Sequence, residues 1–405
     1  MTRKIKELFF KYIRSNLVWC FFIIWAKIYN YSIRLLRIFS FNGFFFWPPI
    51  IRNEPTKKRC EIYNKKHKKK EAIYRKIYET NKVNKKLPKT IHKEISKALL
   101  EFINEPQYEQ YVASIPNGRI AWRYTNITPD YKILRDSSRY LNKNTHWNPY
   151  TYKAFLWTPK RISWNIALVW WNDTHKNYNH WMTFAFPKFE LFQKSWFKID
   201  KFVCDESSRF NKECLEKIGI RPDQIIVLDE KSYIQADNLL VASTTTICWN
   251  VPQWAIDFNR KLFLTKKQES KKKKRLYISR VTMRKVSNEE EIFEYLKKFG
   301  FEKVILDAMS LTEQAELFNS AEIVVWPHWA WFTNIMFCEP WTKIIELFQP
   351  KTIRWHYYAL SNACNLDYYY LVGDCIKNNS LIPMDRDMYI DINNFKETLK
   401  LAKIA

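Results

Sequence analysis

Two arginines and a histidine stand at positions where a chain of alternating strands and helices binds anions. Arg280 comes just past the predicted strand Arg275–Ser279, and Arg284 follows four residues later. His328 follows the predicted strand Glu322–Trp326 and precedes a predicted helix. A fixed guanidinium binds phosphate oxygens bidentately, and a histidine beside a helix N-terminus donates to phosphate where the helix adds positive charge. These three residue types therefore predict a phosphate-binding site. The alternative is a solvent-exposed histidine and surface arginines, in a chain that has 67 lysines and arginines.

Two further residues have side chains that exchange protons. His180 begins the predicted helix His180–Lys194, and Asn177 is placed to cap that helix. Histidine accepts a proton near neutral pH, so we predict His180 to be a general base, with Asp173 as the reserve candidate. The alternative is a structural histidine that hydrogen-bonds a loop.

The elements that position these residues alternate between strands and helices. The predicted strands are Arg119–Thr125, Lys132–Asp136, Ile162–Trp170, Lys201–Asp205, Gln224–Leu228, Asn238–Ala242, Arg275–Ser279, Lys303–Leu306, Glu322–Trp326, Thr342–Phe348 and Tyr368–Val372. The predicted helices are His180–Lys194, Cys214–Ile218, Pro252–Leu264, Asn288–Phe299, Ser310–Ser320, Phe332–Phe337 and Tyr357–Asn365. This alternation predicts βαβ units, parallel sheets and an α/β fold, with ligands at the carboxyl ends of the strands.

The lysine-rich stretch near residues 266–274 separates two such blocks and predicts a domain boundary. We therefore expect a basic, aromatic-rich extension over residues 1–100, a first Rossmann-like domain over residues 101–264 and a second over residues 265–405. Within the extension, Leu17–Ala26 is apolar but too short to span a bilayer as a helix. Its basic flanks suit a helix on an anionic membrane surface, and packing against the protein is the equal alternative. Residues 56–97 are read as solvated helix or linker.

Composition limits the classes of protein that need consideration. The chain has 405 residues, 47% hydrophobic residues and a formal charge of +26. An AT-rich coding sequence accounts for part of the lysine excess, and no recognition motif accompanies it, so a nucleic-acid partner is not expected. The eight cysteines show no metal-ligand spacing, which predicts a reduced, metal-free protein. No Walker loop or Gly-x-Gly-x-x-Gly is present, which argues against an ATPase or a dehydrogenase.

Four ordered segments carry a family resemblance. They read NYNHW from Asn177, YISRVTMR from Tyr277, SAEIVVWPHWAWFTN from Ser320 and PWTKIIEL from Pro340. This order resembles glycosyltransferase family 61, often labelled capsular polysaccharide biosynthesis proteins, whose third segment reads roughly S-A-E-x-V-V-G-P-H-G-A-G-L-T-N. The resemblance covers about residues 119–371.

The resemblance implies a GT-B-like glycosyltransferase of the hexosyl- or pentosyltransferase class, which inverts and needs no metal or other cofactor. A nucleotide-sugar donor would bind the second domain, and a polysaccharide or glycolipid would be the acceptor. The implied donor-binding residues are Arg280, Arg284, His328, Thr333, Asn334 and Glu346. Glu346 would accept hydrogen bonds from ribose hydroxyls, and a structural ion pair is its alternative. A metal-dependent GT-A enzyme has weak support, because its Asp-x-Asp pattern occurs only at Asp385–Asp387.

The glycine and tryptophan counts are abnormal together. Average usage of about 7% predicts roughly 28 glycines, yet the chain has 5 glycines and 18 tryptophans. Trp326, Trp329, Trp331 and Trp341 occupy family glycine positions, and the same exchange fits Trp122, Trp170 or Trp171, and Trp196. One cause explains both counts: UGA codons that mean glycine in the source were translated as tryptophan. An aromatic sugar platform or an inactive relative is the alternative.

These readings place the protein in the cytoplasm, peripheral on the inner face of the membrane, in cell-envelope synthesis. A hypothesis from a different class is a non-catalytic protein that binds a membrane surface or nucleic acid on a decayed version of the same fold.

Overall fold

The protein is described by a computed structural model. It covers residues 53–68, 70–80, 85–101, 103–104, 106–121, 125–130, 132–134, 136–137, 158–169, 176–229, 231–245, 250–264, 273–376 and 382–405. The predicted membrane-surface helix, the reserve base Asp173, and Trp122, Trp170 and Trp171 lie outside these residues.

The first sheet combines antiparallel and parallel strands. Its strands are β1 (Asn53–Glu54), β2 (Ile73–Tyr78), β3 (Gln110–Pro116), β4 (Arg119–Ala121), β5 (Thr125–Ile127), β6 (Ile133–Leu134), β7 (Lys160–Leu168), β8 (Lys201–Val203), β9 (Ile225–Ile226) and β10 (Tyr233–Ala242). β10 pairs antiparallel with β3 and β4 on one side and parallel with β7 on the other. β8 and β9 continue the parallel part.

Helices and turns of the first half connect these strands. They are α1 (Thr56–His67), α2 (Lys97–Leu100), α3 (Tyr178–His180), a π-helical turn (Trp181–Ala185), α4 (Lys188–Ser195), α5 (Arg209–Lys217), a 3-10 turn (Pro222–Gln224) and α6 (Gln253–Phe263). The helix predicted from residue 180 is therefore observed as three consecutive pieces. The linker interpretation of residues 56–97 is wrong for β2, which pairs antiparallel with β3, because the Ile and Tyr residues at both ends of the strand favour extended structure.

The second sheet is entirely parallel. Its strands are β11 (Lys274–Ile278), β12 (Phe301–Val304), β13 (Ala321–Pro327), β14 (Lys343–Phe348) and β15 (Asp367–Val372), in the order β12-β11-β13-β14-β15. The connecting elements are α7 (Glu289–Lys297), α8 (Leu311–Asn319), a 3-10 helix (Ala330–Phe337) and α9 (His356–Ala363). β13 and β14 are buried along most of their length, as expected of central parallel strands covered on both faces.

A C-terminal segment closes the second sheet. It contains a short pair, β16 (Asp374–Cys375) with β17 (Met388–Tyr389), a 3-10 turn (Pro383–Asp385) and α10 (Ile392–Leu401). The mixed α/β fold with parallel strands that the alternation predicted is confirmed. The domain boundaries at residues 100 and 264 stay predictions.

One apolar core joins the two sheets. It contains Trp181 and Ile256 from the first half and Leu276, Trp326 and Phe348 from the second. The two halves meet mainly through helices, with α3 and α6 of the first half packed against α8 and the 3-10 helix Ala330–Phe337 of the second. No helix in the described part of the chain is long and apolar enough to cross a membrane.

Candidate anion-binding site

Three neighbouring parallel strands deliver polar residues to one edge of the second sheet. β11 pairs with β13, and β13 pairs with β14, all in the same direction. Arg280 follows β11, and His328 follows β13. The backbone N–H of His328 donates to the carbonyl of Leu347 at 3.0 Å, which fixes the loop against the end of β14. The predicted convergence of Arg280 and His328 at this edge is therefore observed.

Arg280 is a buried cation with few protein partners. Its side chain donates from Nη1 to the carbonyl of His328 at 3.2 Å and stacks over the indole of Trp329 at 3.7 Å. Only 4% of Arg280 is exposed, and among the described residues its Nε has no hydrogen-bond partner and no carboxylate lies within ion-pair distance. Burial and the charge of Arg284 lower the pKa of Arg280 to about 9, which still leaves the guanidinium charged at neutral pH. A buried charge without a counterion is costly, so the geometry favours an anionic ligand here.

Arg284 lies close to Arg280 and is held by a carboxylate. Its Nη2 contacts Asp385 Oδ1 at 2.9 Å. Its backbone adopts a left-handed conformation with φ of 63°, which turns the loop after β11. Asp387 of the same triplet accepts a hydrogen bond from the N–H of Lys285 at 2.9 Å. The Asp-x-Asp triplet thus uses both carboxylates in contacts with the arginine loop.

His328 belongs to a buried chain of three side chains. Its Nδ1 contacts Glu346 Oε1, and Tyr368 donates from its hydroxyl to Glu346 Oε2 at 2.6 Å. Glu346 is fully buried, and His328 is 7% exposed. Both oxygens of the carboxyl group are therefore occupied by protein groups, and the ribose contact stays a prediction.

The charges around this chain determine where its proton lies. Burial, followed by the charges of three nearby guanidinium groups, lowers the pKa of His328 to about 3; the groups belong to Arg284, Arg280 and Arg354. Burial raises the pKa of Glu346 well above its ordinary value. Both directions favour a neutral imidazole and a protonated carboxyl group over an ion pair. In that neutral pair Glu346 donates to Nδ1, and the ring proton on Nε2 makes this nitrogen the hydrogen-bond donor.

Thr333 and Asn334 lie at the contact between the two halves. Asn334 is fully buried, accepts from the hydroxyl of Tyr178 at 2.6 Å and donates to Gln314 Oε1 at 2.7 Å. Thr333 is also fully buried and accepts from Asn179 Nδ2 at 2.7 Å. We call these contacts the polar seam. The first and third sequence segments therefore contact each other directly, and donor binding by Thr333 and Asn334 stays a prediction.

His180 stands beside the polar seam, in the first half of the molecule. Asn177 accepts from the N–H of His180 at 3.3 Å, which confirms the predicted cap. The partly buried imidazole packs edge-on against Phe184, and the π-helical turn follows at once. Such turns occur frequently at functional sites. His180 also contributes to the lowered pKa of His356, so the two imidazoles are electrostatic neighbours.

Sequence reasoning missed two basic residues after β14. Arg354 and His356 follow the third of the three adjacent strands, and the rings of His356 and His328 lie 6.5 Å apart. Their position in the sequence could have identified them, because both follow a parallel strand that ends at the same edge of the sheet as the strand before Arg280. Tyr368, the third member of the buried chain, gave no signal beyond an apolar strand.

The tryptophans at family glycine positions have different environments. Trp326 is buried against Phe318 and Phe332, and its indole N–H has no partner among the described residues. Trp329 lies under Arg280, and Trp331 stacks on Tyr178 at 4.3 Å.

Two other tryptophans are exposed and have a left-handed backbone. Trp196 ends α4 with φ of 56°, and Trp341 precedes β14 with φ of 70°. Both side chains are mostly in solvent, at 87% and 69% exposure. Only glycine adopts this conformation without strain.

Within the described ranges, no group of three or more His, Cys, Asp or Glu residues is arranged to hold a metal ion. Of the eight cysteines, the six described ones are free thiols, at positions 60, 204, 214, 338, 364 and 375.

Fold and site together define a mixed α/β protein with a buried cationic site at the edge of a parallel sheet. In a comparison with protein families, the model described as Glycosyltransferase 61 matches residues 178–345. The resemblance read from the sequence segments is confirmed over these residues, which include His180, Arg280, Arg284 and His328. No curated protein matches the chain.

Proposed function

We propose that this protein is a glycosyltransferase that moves a sugar from a nucleotide-sugar donor to a polysaccharide or glycolipid acceptor. The observation that carries the proposal is Arg280, a buried guanidinium at the carboxyl edge of the parallel sheet that has no counterion among the described residues. It lies inside the stretch that matches glycosyltransferase family 61. A nucleotide-sugar supplies a diphosphate, an anion suited to such a site.

Leaving-group stabilisation is assigned to the second half of the molecule. When the bond between the sugar C1 and the diphosphate oxygen breaks, negative charge develops on that oxygen. Arg280 and Arg284 stabilise this charge, and His328 donates a hydrogen bond from Nε2. Guanidinium groups take the part that a divalent metal takes in other transferases, which is why the proposed reaction is independent of metal.

Proton removal is assigned to the first half. The acceptor hydroxyl attacks C1 from the face opposite the diphosphate, so the sugar configuration inverts. His180 takes the proton of the hydroxyl as the new C1–O bond forms. The proposed arrangement is GT-B-like, with two Rossmann-like domains facing each other and the acceptor between them. The proposed location is the cytoplasm at the inner membrane face, in capsular polysaccharide or other cell-envelope synthesis.

The proposal includes glycine at several printed tryptophans. Trp341 and Trp196 support it, since both have a left-handed backbone and expose large indoles to solvent. The buried indole N–H of Trp326 without a described partner supports it further. The gene decides the matter: UGG codons at Trp326, Trp329, Trp331 and Trp341 would end this part of the proposal.

Donor binding is the direct test. The full-length protein, with the residues its gene specifies, is titrated with a panel of nucleoside diphosphates, and hydrolysis of the matching nucleotide-sugars is measured. We expect one nucleotide to bind and Arg280→Ala to abolish that binding. Arg221→Ala is the matched control, because Arg221 is exposed and paired with Asp223. Absence of nucleotide binding, with salt-sensitive binding of lipid vesicles or DNA, would favour the non-catalytic hypothesis.

A further inference from the structure

Two loops beside the anion site expose apolar side chains to solvent. The first loop follows Arg280 directly and reads VTMRK over residues 281–285, and the second precedes β17 and reads IPMDR over residues 382–386. The exposed side chains are Val281 (58%), Met283 (53%), Ile382 (57%) and Met384 (38%). Exposed apolar side chains that cluster, rather than lie singly, indicate a surface that contacts something other than water.

Polar contacts hold the two loops together. Arg284 Nη2 contacts Asp385 Oδ1 at 2.9 Å, and these two residues directly follow the last apolar residue of each loop. The N–H of Lys285 donates to Asp387 Oδ1 at 2.9 Å, and the N–H of Met388 donates to the carbonyl of Lys285 at 2.8 Å. The four exposed apolar side chains therefore lie close together, and we call them the apolar rim.

Basic residues surround the apolar rim. The loop after β14 is attached to it, because Gln349 donates from Nε2 to the carbonyl of Pro383 at 2.6 Å. Over residues 280–285, 349–354 and 382–387, six lysines and arginines stand against two aspartates, which leaves a net charge of +4. Of these basic residues, Lys285 and Lys351 are exposed.

This combination is complementary to an anionic lipid bilayer. Apolar side chains among lysines and arginines enter the boundary between headgroups and acyl chains, while the cations stay with the negative headgroups. A protein partner is the alternative. A stable protein interface needs roughly 800 Å² from each side, which two loops of five residues do not supply, so the bilayer is the better match.

We propose that the apolar rim inserts into the surface of an anionic lipid bilayer and holds the anion site at the level of the lipid headgroups. Val281 directly follows Arg280, so the bilayer lies next to the residue proposed to bind the donor diphosphate. A hydroxyl of a membrane glycolipid then reaches the site without leaving the bilayer surface. The glycolipid is therefore the acceptor, rather than a soluble polysaccharide, and this choice rests on the proposed function.

The test measures hydrogen exchange of the full-length protein on lipid vesicles. The vesicles consist of phosphatidylcholine, with or without phosphatidylglycerol as the anionic lipid. We expect vesicles that contain phosphatidylglycerol to slow the exchange of backbone N–H groups in residues 281–285 and 382–386. Added salt should reverse this protection, because it screens the attraction between the basic residues and the headgroups.

Paired substitutions test the apolar and the charged part separately. Met283→Ser with Ile382→Ser should weaken binding to phosphatidylglycerol vesicles by roughly tenfold or more, because two apolar side chains no longer leave water. Lys285→Gln with Lys351→Gln should weaken it by a similar factor, and only on the anionic vesicles. The matched control is Leu87→Ser with Val227→Ser, at side chains that are 59% and 57% exposed outside the apolar rim.

The outcomes separate this inference from the proposed function. If vesicles slow exchange only in residues 1–50, or nowhere, the apolar rim does not contact the bilayer, and nucleotide binding still decides the proposed function. If Met283→Ser with Ile382→Ser weakens binding of a nucleoside diphosphate but not of vesicles, the rim belongs to the donor site and the inference is wrong. Protection of both loops in a protein that binds no nucleoside diphosphate would keep the bilayer contact and overturn the proposed function.

Discussion

Two buried polar regions of this molecule differ in how completely their polar groups are bonded to other protein groups. In the polar seam, Asn334 bonds to Tyr178 and Gln314, and Thr333 bonds to Asn179. At the nearby sheet edge, Arg280 has one carbonyl, one indole face and no counterion among the described residues. His328 at the sheet edge and Thr333 in the seam are five residues apart in the chain. The hydrogen-bonding groups of the seam nevertheless have protein partners, whereas the charge of Arg280 has no counterion among the described residues.

The difference separates structural polarity from functional polarity. For a buried polar group with protein partners, hydrogen bonds within the folded chain offset the free-energy cost of desolvation. For a buried charge without partners, that cost is offset only when a ligand supplies the opposite charge. Substitutions in the seam should therefore change stability, and substitutions at the sheet edge should change binding.

Arg280→Ala should give the largest effect on binding. We expect a loss of roughly 100-fold or more in affinity for the nucleoside diphosphate, since a buried charged donor has no water to replace it. The free energy of unfolding should stay the same or rise, because the variant removes an unpaired buried charge. Titration calorimetry and urea denaturation measure the two quantities. A variant that unfolds easily but binds normally would reverse the comparison.

The seam should respond in stability. Tyr178→Phe leaves Asn334 Oδ1 without its donor, and we expect it to lower the free energy of unfolding by about 1–3 kcal/mol. Tyr389→Phe, at a partly exposed tyrosine, is the matched control. Asn334→Ala tests the donor-binding prediction directly. If it weakens nucleotide binding at unchanged stability, Asn334 contacts the donor and the seam is not purely structural.

The His328–Glu346 pair should give a characteristic dependence of stability on pH. The pKa of His328 is lowered to about 3, so the free energy of unfolding decreases as the pH falls below 6.5. The reason is that His328 binds a proton in the unfolded state but not in the folded state. The raised pKa of Glu346 makes stability fall as the pH rises, because the folded carboxyl group keeps a proton that the unfolded one loses. Between the ordinary values of 4.5 and 6.5 the two effects cancel.

A variant that removes one titrating group of the pair should reveal the pH dependence that the other group causes. With Glu346→Gln, stability should fall below pH 6.5 at up to about 1.4 kcal/mol per pH unit, and with His328→Asn it should fall above pH 4.5 at a similar rate. Urea denaturation across pH 4–8 measures both slopes. Slopes of the same sign in the two variants, or no slope in either, would contradict the pKa directions given for the pair.

The smallest effect concerns the backbone. Trp341→Gly should raise the free energy of unfolding by about 1 kcal/mol, since glycine relieves the left-handed strain. Trp164→Gly is the control, because Trp164 is also exposed but lies in the extended strand β7, where glycine should destabilise. If both variants are destabilised alike, the backbone at Trp341 does not require glycine.

The fold was predictable where periodicity was strong. The strands around Val325 and Ile345 are continuous apolar runs that only a covered parallel sheet accommodates. β2 was missed because its lysine and tyrosine side chains resemble a solvated segment, and its pairing with β3 is a non-local contact.

The site was predictable only in part. Arg280 and His328 were found because strand ends in α/β folds point to ligands. The partners of Glu346 were not found, because Tyr368 lies 22 residues away in sequence and meets it only through the parallel pairing of β14 with β15. Arg354 and His356 were missed because one-dimensional spacing does not show which strand ends are neighbours.

The short span from Tyr178 to His180 limits how far the two halves of the molecule can move relative to each other. Two of its three side chains are bonded to the second half, at 2.6 Å and 2.7 Å, and the third is the imidazole assigned to proton removal. The position of His180 is therefore fixed relative to the second sheet, which holds the proposed donor site, as well as to its own sheet. If one half slid against the other by more than a hydrogen-bond length, these two hydrogen bonds would break and His180 would move relative to the donor site, while both sheets stayed intact. The interface therefore keeps the distance between His180 and the donor site constant.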